Sequence, residues 1–207
     1  MMSYESLSNA DQEKQHYYLD SIWYADTQNE IFQSLMQAMS RPGSIHNLES
    51  RLGKSNAVTA VLATLFDAQV TACNHDSLIT DEDWSLSQCQ TVSSDAANYI
   101  ICDGSLPCSI NPNLGSLVSP ELSGTVIVSV NNLSNEITDT SKEERLWRLS
   151  GPGVDGEIDV VVSDLHSSWL QQRENWNSEF PLGADLIVVS ETSVLALPRT
   201  TKVECLT

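Results

Sequence analysis

A chain of 207 residues, 41% of them hydrophobic, is long enough to bury a sizeable core. Its 28 acidic residues outnumber 10 basic ones, and the net charge of −18 argues against nucleic acid or an anionic membrane as partner. No apolar run approaches the roughly 18 residues of a membrane span, and the polar, acidic start MMSYESLSNADQEKQHYYLD is no secretory signal.

The cysteines Cys73, Cys89, Cys102, Cys108 and Cys205 are odd in number, widely spaced and without a CxxC pair. They read as buried free thiols of a reducing compartment, so the chain is expected in the cytoplasm. Residues 1–15 carry no hydrophobic periodicity and are expected to be a loose tail. Residues 16–207 then form a single domain.

Asp26 to Ser40 predicts an amphipathic helix with Ile31, Phe32, Leu35, Met36 and Met39 on one face. Asp26 or Thr27 is its expected N-cap. Arg41 precedes Pro42, which disfavours further helix, and Pro42-Gly43 makes a turn. Ser55 to Ala68 predicts a second, mostly buried helix capped by Ser55, with Val58, Val61, Leu62, Leu65 and Phe66 as its face. Leu35 and Phe66 are therefore expected in the core.

Val70 to Cys73 and Tyr99 to Cys102 predict short strands, separated by a polar stretch whose one large anchor is Trp84. Pro107 to Gly124 reads as a long loop or short helix. Thr125 to Val130 is a β-branched strand, and Asn131 to Glu144 a solvated acidic loop. Arg145 to Ser150 alternates as a strand, closed by Gly151-Pro152-Gly153. Ile158 to Val162 is a further strand or an extended edge. Asp164 to Asn177 predicts a helix carrying Leu165, Trp169 and Trp176. Ala184 to Val189 and Ser193 to Leu197 are rich in Val, Ile and Leu and predict paired buried strands. Pro198 cannot donate to a ladder, so it ends the second of them or sets it at an edge. The pattern favours an α/β fold, a mixed β-sheet flanked by helices.

Few stretches carry chemistry. Gly151-Pro152-Gly153 lacks the spacing of a phosphate loop. His16, His46, His75 and His166 are scattered without a metal-binding pattern. No GxSxG occurs, so an esterase-like nucleophile has no support. None of Lys14, Lys54, Lys142 and Lys202 sits in an apolar run that would favour a Schiff base. Arg199-Thr200-Thr201, placed at a strand end, offers a fork of guanidinium donors and two hydroxyls to an oxyanion, and Arg41 at the first helix end offers another cation. The competing reading is that both arginines offset an acidic surface or tie down chain ends.

Four stretches in order carry a resemblance: FQSLMQAMSRPGSI (32–45), SPELSGTVIVSV (119–130), RLWRLSGPGV (145–154) and FPLGADLIVVSETSVLALPRTTKVE (180–204). Together they resemble the PhnH family, which belongs to the bacterial carbon–phosphorus lyase system of phosphonate degradation. Gln33 stands where the family pattern leads us to expect Arg. The resemblance implies a fold similar to the pyridoxal-phosphate-dependent transferases, without that cofactor or any other. It implies a homodimer that joins subunits G, I and J. It also implies a place at the step that couples a phosphonate to C1 of the ribose of ATP, giving ribose 1-phosphonate 5-triphosphate. No catalytic residue carries over, so an accessory, non-catalytic subunit is expected. The alternative is a stand-alone binder or enzyme that holds a phosphonate or nucleotide through Arg41, Arg199, Thr200 and Thr201.

Overall fold

The structure, a computed structural model, describes residues 19–136 and 144–206. The expected tail 1–15 and residues 137–143 of the acidic loop lie outside those residues. After a 3-10 turn at Ser21–Trp23 the chain forms α1 (Ala25–Ser40), β1 (His46–Asn47), α2 (Glu49–Leu52), α3 (Ala57–Leu65), β2 (Thr71–Asn74) and α4 (Asp81–Ser87). β3 (Gln90–Thr91), β4 (Tyr99–Asp103), β5 (Thr125–Ser129) and β6 (Asn132–Ser134) follow. The last third holds β7 (Glu144–Ser150), β8 (Glu157–Ser163), α5 (Ser168–Trp176), β9 (Asp185–Val189), β10 (Ser193–Leu197) and β11 (Lys202–Cys205).

Among the described residues the strands make two sheets. The larger is mixed, in the order β1-β10-β9-β5-β4-β2-β3. Its centre is parallel, with Ile100 beside Val126 and Val126 beside Leu186. β9 and β10 pair as expected, and the pairing is antiparallel, with Val189 opposite Val194 and Leu186 opposite Leu197. Pro198 ends β10, which lies inside the sheet between β9 and β1. The smaller sheet, β11-β7-β8-β6, is antiparallel throughout.

Strand side chains alternate between faces, so the central strands feed two cores. Ile101, Ile127 and Ile187 point to one side, where they pack with Ile31 and Leu35 of α1 and Val61 and Leu62 of α3. Ile100, Val126, Val128, Leu186 and Val188 point to the other, against Trp147, Leu149, Val160 and Val162 of the smaller sheet and Trp169 and Trp176 of α5. The mixed sheet and its helices agree with the α/β expectation. The four-stranded sheet, however, covers much of the face that a second helical layer would take.

Local differences have local causes. α1 begins after Tyr24, which makes no side-chain cap bond, so Asp26 and Thr27 lie in the first turn rather than at the cap. Phe32 and Met36 are exposed, because α3 and β10 cover only the Ile31–Leu35–Ala38 side of the helix. Asn56, not Ser55, caps α3 by accepting from Thr59 N–H at 2.9 Å. Ser55 instead donates to Asp20 at 2.8 Å. α3 ends at Leu65, and Phe66 is buried just beyond it, 5.1 Å from the Tyr99 ring.

Sequence periodicity missed α4. Thr80 caps it, accepting from Asp83 N–H at 3.2 Å, and three acidic residues sit at its positive N-terminal end. β6 falls inside the stretch expected to be a loop. α5 starts at Ser168 because Asp164, with φ of 59°, breaks the helical path. β8 is internal, between β7 and β6. Of the cysteines only Cys102 is fully buried, and Cys205 is exposed on the edge strand β11, against the expectation of buried thiols. Burial pushes the Cys102 thiol far above its ordinary pKa, which makes it inert as a nucleophile. No helix among the described residues is long and apolar enough to cross a membrane.

Candidate functional site

The site forms where the chain leaves one sheet for the other. Thr201 N–H donates to the Pro198 carbonyl at 2.9 Å, and this turn carries the chain from β10 to β11. Two arginines grip the turn from different sides.

Arg199 belongs to the turn itself. Its backbone N–H donates to Asp185 Oδ1 at 2.7 Å. Its Nε reaches Asp185 Oδ1 at 3.3 Å and its Nη2 reaches Asp185 Oδ2 at 3.0 Å, a fork against one carboxylate. Nη1 donates to the carbonyls of Pro120 and Pro181, each at 3.2 Å, and Nη2 also donates to the Ser123 hydroxyl. A guanidinium has five N–H donors, and all five find acceptors here. Arg199 therefore fastens three loops together.

Arg173 comes from α5, between Trp169 and Trp176 on the buried face. It is 5% exposed. Nη2 donates to the carbonyls of Pro198 at 2.8 Å and Thr201 at 3.0 Å. Among the described residues Nε has no partner and Nη1 makes no hydrogen bond. No carboxylate among the described residues pairs with it at ion-pair distance. Burial pulls its pKa down to about 10, while the Asp185 carboxylate resists the change, so the group is charged at neutral pH.

Beside this turn lies a cavity of about 780 Å³. Arg173, Glu174 and Asn177 of α5 and its end, Arg199, Thr200 and Thr201 of the turn, and Lys202 of β11 supply its polar wall. Pro152, Leu170, Phe180 and Val203 supply apolar surface. Three cations thus line it against one acid, Glu174, in a chain of charge −18.

Two glycines fix this geometry. A Cβ on Gly183 (φ 148°) would overlap Asn177 Oδ1, which accepts from Ala184 N–H at 3.0 Å. A Cβ on Gly153 (φ 84°) would lie 2.6 Å from the Ser40 carbonyl. The end of α1 therefore packs against the 151–153 turn, beside Pro152 on the cavity wall.

Of the residues singled out in the sequence, Arg199, Thr200 and Thr201 line the cavity. Arg41 does not: it caps α1 with its N–H on the Gln37 carbonyl and leaves its side chain exposed. Sequence reasoning missed Arg173 and Asn177. The signal was present for Arg173, since it lies four residues after Trp169 and three before Trp176, on the face that helical spacing buries.

A family profile described as "Bacterial phosphonate metabolism protein (PhnH)" matches residues 21–204. A protein of Stutzerimonas stutzeri, provisionally named C-P lyase subunit protein HtxG, is 35% identical over 182 residues, covering 88% of each chain. The alpha-D-ribose 1-methylphosphonate 5-triphosphate synthase subunit PhnH of Rhizobium meliloti (strain 1021) is 28% identical over 193 residues, covering 84% of this chain and 88% of that one. The match spans α5, the turn after β10 and all but the last residue of β11, and the chain belongs to the PhnH family of bacterial phosphonate metabolism proteins.

Proposed function

We propose that this chain is an accessory, non-catalytic subunit of a carbon–phosphorus lyase complex in phosphonate catabolism. Its place is the step that joins a phosphonate to the ribose of ATP and yields ribose 1-phosphonate 5-triphosphate. The observation that carries this reading is the family match over residues 21–204. The names of the two relatives, one a C-P lyase subunit and the other a subunit of the triphosphate synthase, point the same way. The reading includes a cytoplasmic homodimer that joins subunits G, I and J, and the family's likeness to pyridoxal-phosphate-dependent transferases without the cofactor.

The surface supports a docking role. Leu117, Val118, Leu122 and Phe180 are exposed, Val118 at 93% and Phe180 at 70%. Arg199 bonds the carbonyls of Pro120 and Pro181, and so ties the segment that carries Leu117, Val118 and Leu122 to the one that carries Phe180. Exposed apolar side chains on segments held together in this way fit an interaction surface. The hold of a mostly buried arginine on both segments supports an assembly role for Arg199.

Co-expression with subunits G, I and J, followed by native mass determination, tests the reading. Stoichiometric entry into the complex is the expected outcome. The double substitution Val118→Asp and Phe180→Asp is expected to abolish entry while leaving the melting temperature of the free chain unchanged. A chain that stays apart while the others assemble would overturn the subunit reading. It would bring forward the alternative, a stand-alone binder or enzyme acting on a phosphonate or nucleotide at the Arg199-Thr200-Thr201 cavity.

A further inference from the structure

Four buried side-chain polar atoms among the described residues have no hydrogen-bond partner. They are Arg173 Nε, Asn177 Nδ2, Thr201 Oγ1 and Trp147 Nε1, and the first three belong to residues that line the one cavity. Buried polar groups are nearly always paired, so three orphans on one wall call for a missing acceptor. Each of the three can donate, and Arg173 adds an unused Nη1.

Arg173 sharpens the argument. A buried guanidinium without a counter-ion costs several kcal/mol, and proteins pair such charges or leave them in water. Here the near carboxylate, Asp185, is already engaged by Arg199. With Nη2 engaged by two carbonyls, Nε–H and Nη1 lie on opposite sides of the guanidinium, so they remain as separate single donors. A single water accepts fewer bonds than these groups offer and carries no charge.

We propose that Arg173, with Thr201 and Asn177, is the recognition centre for a small tetrahedral oxyanion on an apolar stem, the chemistry shared by phosphonates and phosphate esters. The oxyanion takes an unused donor of Arg173 and the Thr201 hydroxyl. Leu170, Phe180 and Val203 give the stem an apolar wall, and the volume lies in the range of small-molecule sites. Lys202, exposed at the rim, attracts the anion locally against the overall negative field. Arg199 takes no part in holding it, since its donors are spent. The site rests on the proposed function only for the preference of phosphonate over phosphate.

Calorimetry of the full chain at low ionic strength, with methylphosphonate, phenylphosphonate and inorganic phosphate, tests the site. Saturable binding of all three is expected, with phenylphosphonate tightest. Thr201→Val keeps the shape of the side chain and removes an unpaired hydroxyl, so it should fold as well as the parent. It should weaken binding about tenfold, as loss of one charge-assisted bond does. Arg173→Lys should weaken binding strongly, since an ammonium cannot hold the Pro198 and Thr201 carbonyls and the anion at once as the planar guanidinium does. Absence of binding to the parent chain overturns the proposal. Binding that Thr201→Val leaves unchanged overturns it too, whatever Arg173→Lys does to the fold. A chain that binds the anion yet never enters a complex would sink the subunit role and leave this site standing. A chain that assembles but binds none of the three would do the reverse.

Discussion

Arg199 and Arg173 hold the same four-residue turn, and the difference between them separates architecture from recognition. Arg199 spends every donor on the protein: one carboxylate, two carbonyls and a hydroxyl. Arg173 is the more deeply buried of the two, yet only its Nη2 is engaged. A saturated cation fixes loops. An unsaturated one beside a cavity retains capacity for a ligand. Position in the sequence does not distinguish them, and the more conspicuous arginine, next to two threonines, is the one already occupied.

Stability measurements can break that comparison. Arg199→Met strands the partly buried Asp185 carboxylate and frees the 120–123 and 181 loops. The expected loss is about 4 kcal/mol by denaturant titration, since removing one side of a buried pair is expensive. A loss near 1 kcal/mol would mean that solvent screens the pair and that Arg199 is not the fastener described.

Leu35→Ala tests the α1 packing on which the other core depends. It should cost about 3 kcal/mol, whereas Phe32→Ala, on the exposed side of that helix, should cost less than about 0.5 kcal/mol. Equal effects would mean that the helix is rotated.

Arg173→Met is expected to cost only about 1–2 kcal/mol. Loss of the two carbonyl bonds is largely offset by relief of an unpaired buried charge. If Arg173→Met proves as damaging as Arg199→Met, the contrast between the two arginines fails.

A smaller loss than at either arginine is expected at Asp20, a carboxylate that serves as a clamp. Burial raises its pKa, but bonds from Ser55, Ser21 and the Lys54 N–H more than offset this and hold it below the usual carboxylate range. A lowered folded-state pKa means stability that is present above the ordinary value of about 3.9 and lost as pH falls through the folded value. Asp20→Ala should cost about 1 kcal/mol at neutral pH and flatten the acid limb of the stability profile. An unchanged acid limb would remove Asp20 from the account.

Much of the chain was legible because its elements are strongly patterned. β9 and β10 are continuous apolar runs separated by turn residues, and they pair as expected. α1 stops where Pro42 requires. α4 was illegible because capping and charge, rather than an apolar stripe, define it. β11 was illegible because Lys202–Cys205 is a short exposed edge strand whose pairing with Ser150 to Trp147 is entirely non-local. At the site, the Arg199-Thr200-Thr201 cluster did mark the cavity. Arg173 stayed hidden among tryptophans, although its helical spacing placed it on the buried face.

The sequence by itself determined the α/β class, the paired strands of the last third, the turn after Pro198 and the family. These rest on local periodicity, on proline and glycine stereochemistry, and on motifs in order. Only the tertiary structure decided that a second sheet covers one face of the first. It alone decided that Asp185 neutralises Arg199 and that Arg173 is left with donors to spare. Hydrogen-bond saturation depends on which groups from distant segments arrive at one point, and no single stretch of chain encodes that.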